Sequence, residues 1–211
     1  KGLRGTSLKR NMKKVIYLDN AASTRVDNRV IKKINEFNSK LYGNPSSIHE
    51  LGERARNAVN NSREIIAREI NAKSYEIIFT SGATESNNIA IQGVALANPD
   101  KKRIVISSIE HASVYEVCNI LKERGYEIID IPTDKFGIID IDELEKAIDK
   151  NTLLVSIIHV NNEIGVIQDL KRIGEICRER GVYFHTDAAQ GFGKLKIDVK
   201  KDNLDLISAS A

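Results

Sequence analysis

From residue 76 onward, short runs of β-branched and aliphatic residues alternate with stretches whose apolar positions recur every three to four residues. The runs predict strands over 76–80, 103–107, 126–131, 153–160, 182–186 and 204–208. The periodic stretches predict helices over 85–97, 113–124, 142–149 and 170–180. Gly125 and Gly181 each follow a helix with charged residues at its end, where a left-handed C-terminal cap belongs. Asp140 has Glu143 three residues on, the spacing of a capping box at a helix start. Alternation of this kind predicts an α/β fold, a mostly parallel sheet with helices on both faces. The unbroken Leu153-Leu154-Val155-Ser156-Ile157-Ile158 suits a strand buried on both sides.

Residues 26–70 read differently. They give two helices, with Val30, Ile31, Ile34 and Phe37 lining one and Ala55, Val59, Ile65 and Ile66 lining the other. The loop between them contains Tyr42-Gly43-Asn44-Pro45-Ser46-Ser47, and no strand pattern intervenes. The chain therefore divides into residues 1–14, an N-terminal helical segment over 15–75, and an α/β domain over 76–211. Residues 1–14 hold Lys1, Arg4, Lys9, Arg10, Lys13 and Lys14, the main source of the net charge of +3. They read as a disordered leader, with Met12 as the natural start and residues 1–11 a tag scar or mistranslated leader. Without aromatic or helical support, that basic stretch is a poor nucleic-acid-binding tail.

Composition narrows the setting. The 211 residues are 41% hydrophobic and 29% charged, ordinary values for a soluble domain. No apolar run approaches the roughly 18 to 20 residues of a membrane span, and no apolar segment follows the basic start to form a secretory signal. Cys118 shares a helical face with Val114, Val117 and Leu121, and Cys177 shares one with Ile173 and Ile176. Both read as small core residues rather than as a disulfide or a catalytic thiol, which points to a reducing compartment, most simply the cytoplasm. No metal-ligand cluster is predicted.

Ligands of open parallel sheets bind outside the carboxyl ends of the strands, so the residues there carry the candidate chemistry. Thr80-Ser81-Gly82-Ala83-Thr84-Glu85-Ser86 is a small-residue turn opening into a helix, suited to a phosphate. It is neither a Walker A loop nor a dinucleotide turn; taken alone it is equally an ordinary helix start with Thr84 as N-cap. His111 follows the next strand, a position where histidines are more often inert than catalytic. His159-Val160-Asn161-Asn162-Glu163 and His185-Thr186-Asp187-Ala188-Ala189-Gln190 end two later strands. His185 reads as a supporting core histidine. Asp187 requires a cation at the end of a buried strand: either a distant arginine or a protonated ring nitrogen. Phosphate turn, imidazole, amide pair and carboxylate together point to pyridoxal 5'-phosphate (PLP), whose ring nitrogen such a carboxylate holds protonated.

With Tyr17-Leu18-Asp19-Asn20-Ala21-Ala22-Ser23-Thr24, Gly43-Asn44-Pro45-Ser46-Ser47 and Glu110-His111 added in order, the sequence resembles the NifS/IscS-like cysteine desulfurases, within the class V aminotransferase group of PLP enzymes. The resemblance runs from about residue 15 to the end. It implies that Ala83, Thr84 and Ser210 bind the cofactor phosphate. It further implies that His111 stacks on the ring and moves protons, and that Ala189 packs on the opposite face. Asn162 and Gln190 would contact the ring oxygen and Asp187 the pyridinium nitrogen. The implied reaction converts L-cysteine to L-alanine and passes sulfur as a persulfide to an acceptor such as an iron–sulfur scaffold protein, or toward tRNA thiolation. The implied assembly is a homodimer with sites near the subunit interface. A selenocysteine lyase, a cysteine-sulfinate desulfinase and a non-catalytic split homologue acting as a binding protein are the alternatives. Where the chain ends at Ile207-Ser208-Ala209-Ser210-Ala211, the family pattern continues with His-Lys. The reading therefore expects a truncated chain, without the lysine that anchors the cofactor, the persulfide cysteine and the small C-terminal domain. Such a fragment is expected to be inactive in sulfur transfer.

Overall fold

The computed structural model describes residues 15–210, so the expected leader at 1–14 lies outside the described residues. Strands β1 (Arg103–Ser107), β2 (Glu127–Ile131), β3 (Thr152–Ser156), β4 (Tyr183–Asp187) and β5 (Leu206–Ser208) form one sheet in the order β2-β1-β3-β4-β5. Every neighbouring pair is parallel, so all the strand carboxyl ends lie along one edge. The α/β sheet expected from the alternation is the observed one.

The pleat sorts the apolar residues between two faces. On one side Ile104, Ile106 and Leu154 pack with Ile91, Ala95, Val114, Val117 and Leu121 of α3 (Ala83–Ala97) and α4 (Ala112–Glu123). On the other, Val105, Val155, Ile157 and Phe184 meet Leu144 of α5 (Ile141–Ala147) and Ile173, Ile176 and Cys177 of α6 (Leu170–Arg180). Phe184 is wholly buried; truncating such a side chain to alanine typically costs about 3–5 kcal/mol.

The helix ends follow local chemistry. Asp140 caps α5 by accepting from the Glu143 amide at 3.1 Å. The reciprocal half of the capping box is not formed: the Asp140 amide goes to the Pro132 carbonyl, and Glu143 pairs with Lys146. Gly181 closes α6 with φ of 63°, the left-handed conformation predicted for it.

Two predicted strands differ. The segment 76–80 is not a strand: Ser74–Glu76 form a single 3-10 turn and 77–80 run on without ladder partners. Ile78 and Phe79 are 69% and 50% exposed, so the β-branched composition finds no neighbouring strand to pair with. The apolar run at 153–160 leaves regular ladder pairing after Ser156, although Ile157 and His159 still donate to the carbonyls of His185 and Asp187. Its remainder turns into the loop that shapes the site.

The N-terminal segment forms α1 (Asn28–Lys40) and α2 (Glu50–Glu69) as expected. No helix among the described residues is long and apolar enough to cross a membrane.

Cys118 and Cys177 are buried on opposite faces of the sheet. Burial pushes both thiols up to about 12. The folded chain is expected to leave both cysteines unmodified by an aromatic disulfide reagent at pH 8, and to expose both when unfolded in guanidinium. Fast modification of either under native conditions would contradict the packing described.

Candidate functional site

The carboxyl edge of the sheet opens into a cleft of about 650 Å³ whose walls include Ala83, His111, Ile158, Asn162, Asp187, Ala189 and Gln190. They come from the exits of β3 and β4 and from the starts of α3 and α4, the usual ligand position in an open parallel sheet. Leu18, Asp19, Ala21 and Ala22 of the N-terminal segment close one side. The Gln190 amide donates to the Ala21 carbonyl at 2.9 Å, which ties that segment to the exit of β4.

Asp187 forms the floor, 3% exposed at the end of β4. Its Oδ2 accepts from Asn87 Nδ2 at 2.7 Å and its Oδ1 from the Ala189 amide at 2.9 Å. Neutral donors orient the carboxylate without cancelling its charge. No lysine or arginine among the described residues pairs with it, which removes the distant arginine from that group. A buried charge left without a counter-ion is costly, and a protonated heteroaromatic nitrogen entering from the cleft is the complement this floor lacks. The residues present therefore fit a pyridinium-type cofactor.

At the rim, His111 is the N-cap of α4. Its Nδ1 accepts from the Ser113 amide at 3.1 Å and lies 2.8 Å from Ser113 Oγ. Behind it, Asn87 Nδ2 donates to Ser113 Oγ at 2.8 Å. Asn87 is fully buried and its Oδ1 has no partner, a vacancy worth about 1–3 kcal/mol of lost stability.

Glu110, 8% exposed, precedes His111 at the exit of β1. Its Oε1 accepts from Ser107 Oγ at 2.5 Å and from the Ile158 amide at 2.7 Å, tying the exit of β1 to that of β3. Burial pushes its carboxyl up to about 8, against the pull of those hydrogen bonds, and the nearby Asp187 charge adds to the rise. The protonated, neutral form leaves Asp187 to carry the negative charge of the floor.

The amino end of α3 supplies the phosphate turn. Its N-cap is Gly82, not Thr84, and no side chain caps it. The amides of Ala83 and Thr84 thus have no backbone partner among the described residues, and free amides at a helix start favour an anion. Thr84 itself is exposed and is not part of the cleft wall. Ser210 is also outside it, lining an adjacent depression with Thr80, Ser81 and Gly82.

The paired asparagines divide their work. Asn161 Oδ1 accepts from the amides of Glu163 and Ile164 at 2.9 and 3.0 Å, and Nδ2 donates to the Ile109 carbonyl at 2.9 Å. This builds the loop that presents half-buried Asn162 to the cleft. Gly191 accommodates His159 closely, since a Cβ there would fall 2.4 Å from the His159 Nδ1. His185 is fully buried between Ser156 Oγ at 2.8 Å and Ser208 Oγ at 3.0 Å, joining three strands, and burial pushes it down to about 4.

Asn87, Ser113 and Glu110 were not assigned roles from the sequence. Asn87 carried a signal: it shares the four-residue spacing of Ile91 and Ala95, a polar residue on an apolar stripe. Glu110 directly follows a buried strand. Ser113 is an unremarked serine in a helix first turn and carried none.

Comparison with known proteins agrees with this geometry. The sequence profile described as aminotransferase class-V matches residues 16–211. The cysteine desulfurase IscS of Methanosarcina thermophila is 48% identical over 198 residues, covering 93% of this chain and 49% of its own length. The mitochondrial cysteine desulfurase of Candida albicans is 52% identical over 198 residues, covering 93% and 41%. Among solved structures, SspA in complex with cysteine superposes with a TM-score of 0.88 at 43% identity, over 92% of this chain and 56% of that one. A NifS-like protein gives a TM-score of 0.88 at 37% identity, over 92% and 54%. The chain spans about half the length of the curated relatives it matches.

The two buried titratable groups act in opposite directions on stability. Glu110 binds a proton on folding, so its contribution is complete below its ordinary value of 4.5 and is lost as pH rises to about 8. His185 stays neutral on folding, so its contribution is present above 6.5 and is lost as pH falls to about 4. Glu110→Gln is expected to flatten the decline of stability between about pH 5 and 8, a slope of up to about 1.4 kcal/mol per pH unit followed through Tm. Parallel Tm curves for the two proteins would show that Glu110 does not titrate in that window.

Proposed function

The chain belongs to the aminotransferase class-V family, whose members are PLP-dependent enzymes, and we propose that it forms the cofactor-binding part of a cysteine desulfurase. The proposed reaction converts L-cysteine to L-alanine, and the sulfur leaves as a persulfide for an acceptor such as an iron–sulfur scaffold protein. The observation that carries the reading is Asp187, a buried carboxylate without a counter-ion on the floor of a cleft at the sheet's carboxyl edge. Similarity to desulfurases over 93% of the chain supports the choice of substrate.

In this reading residues 76–211 are the PLP-binding domain and residues 15–75 the helical segment that closes one side of its cleft. When bound, PLP supplies an electron sink for charge developing next to the substrate's amino group. Asp187 keeps the ring nitrogen protonated. The free amides at Ala83 and Thr84, with Ser210, take the phosphate. Asn162 and Gln190 would serve the ring oxygen, with Gln190 giving up its bond to Ala21. Ala189 and His111 would hold the ring, and the His111 imidazole would move protons there.

The chemistry also needs a lysine to anchor the cofactor and a thiol to accept sulfur. Lysine is not among the cleft-lining residues, and Cys118 and Cys177 are buried in the core. We assign both functions to parts of the protein other than these. The working unit is proposed to be a homodimer in the cytoplasm, with no direct nucleic-acid or membrane partner; the reduced state expected of buried, unpaired thiols is in keeping with that compartment.

Titration of the chain with PLP, followed by cofactor absorbance, tests the reading. The 211-residue chain is expected to bind PLP weakly and reversibly. Asp187→Ala is expected to weaken binding about 10- to 100-fold, the worth of a charge-assisted hydrogen bond. Equal affinity in the two proteins would overturn the role given to Asp187 and with it the reading.

A further inference from the structure

Between His111 and Asp187 the structure holds a continuous line of hydrogen bonds that the proposed chemistry does not itself require. Asn87 and Ser113 form its middle, and neither lines the cleft. Asn87 is fully buried and Ser113 is 7% exposed. Both reach the site only through the residues they touch.

The direction of each bond follows from what each group can donate. A backbone amide only donates, so the Ser113 N–H at 3.1 Å makes His111 Nδ1 an acceptor. The hydroxyl of Ser113, 2.8 Å from the same nitrogen, must then point its hydrogen there as well. This leaves the Ser113 oxygen free to accept, and Asn87 Nδ2 donates to it at 2.8 Å. The second hydrogen of the same amide goes to Asp187 Oδ2 at 2.7 Å. A carboxylate offers only acceptors, so the Asn87 amide cannot turn over without setting oxygen against oxygen. Its unpartnered buried Oδ1 is the structural consequence of that forced orientation. The Asp187 carboxylate is held from the other side by the Ala189 amide, 2.9 Å from Oδ1, so the line starts from a fixed point.

We propose that Asn87 and Ser113 are positioning residues that lock, from Asp187, the tautomer of His111 that the longer Ser113 amide contact favours on its own, holding Nδ1 as an acceptor and leaving its exchangeable proton on Nε2. The tautomer of a histidine is set by the bond that its other nitrogen makes, and here that bond is traced back to the floor of the site. In a cofactor-loaded site the proton would thus sit on the ring edge turned away from the helix start. The mechanistic consequence rests on the PLP reading above; the tautomer itself does not. The relay also means that the residue setting the charge of the floor and the residue moving protons at the rim share one rigid support.

Nitrogen-15 NMR of the full 211-residue chain, recorded without cofactor, tests this directly. Two-bond proton–nitrogen correlations distinguish a protonated from an unprotonated ring nitrogen, and His111→Gln identifies the resonances of His111. The expected pattern in the unsubstituted chain is Nε2 protonated and Nδ1 unprotonated. Ser113→Ala is expected to move the Nδ1 resonance toward the average of the two tautomers, and Ser113→Thr, which keeps the hydroxyl, to restore it. Asn87→Ala is expected to produce a smaller shift in the same direction. Unchanged resonances of buried His185 report that each variant is folded, and should Asn87→Ala fail that check, the two Ser113 variants carry the test. A protonated Nδ1 in the unsubstituted chain, or an unmoved His111 pattern in folded Ser113→Ala, would overturn the proposal. Because no cofactor is present, a chain that failed to bind PLP could still show the predicted tautomer, and a chain that bound it could still lack it.

Discussion

Asp187 sits at the end of β4 where bulk water no longer solvates its charge, and the surrounding residues respond to that fact. Amide donors from Asn87 and Ala189 hold the two oxygens in place. Neither neutralises the charge, because an amide contributes a dipole and not a cation. Glu110 is pushed toward its neutral form chiefly by its own burial, and the nearby Asp187 charge adds to the rise. Two adjacent buried carboxyl groups do not both ionise readily, so the floor concentrates its charge at one point. The complement of that point is a cation delivered through the cleft.

A parallel sheet makes such a floor possible. Because β1, β3, β4 and β5 all run in one direction, their exits share an edge, and the exits of β1, β3 and β4 supply groups to the cleft. Packing on both faces keeps that edge rigid: α3 and α4 cover one side, α5 and α6 the other. Polar ties then connect the exits across the sheet. Glu110 links β1 to the loop after β3, His185 links β3 to β5 through two serines, and Asn87 links α3 to both β4 and α4. These buried polar groups stabilise little in net terms, but they set relative positions that hydrophobic packing, which is non-directional, does not specify.

The N-terminal segment takes part in a different way. It adds no strand, yet Leu18, Asp19, Ala21 and Ala22 form part of the cleft wall, and the Ala21 carbonyl takes the Gln190 hydrogen. The apolar residues of α1 and the segment at 77–80 remain partly exposed. Helical periodicity placed α1, since a helix satisfies its backbone hydrogen bonds within its own segment. Strand formation has no such independence: the segment at 76–80 has strand composition but lacks the neighbour that would complete its backbone hydrogen bonds.

Periodicity, turn residues and caps in the sequence by themselves determined the parallel α/β class, the two-sided burial, the left-handed turn at Gly181 and the group of residues gathered at the carboxyl edge. These are local or repeating properties, and each is written in a few consecutive positions. The segments that hold Ala83, His111, Asn162, Asp187, Ala189 and Gln190 could be singled out because they stand at strand exits or helix starts, and the family resemblance picked out the individual residues. Only the tertiary structure decided that Asn87 and Ser113 connect His111 to Asp187, and that Glu110 ties the exit of β1 to that of β3. It also decided that Thr84 and Ser210 stand outside the cleft wall and that Gln190 is engaged by Ala21. Such pairings join residues as far apart as 169 positions in the chain. Their geometry depends on distances of a few ångströms between elements, which the order of residues along a chain does not contain.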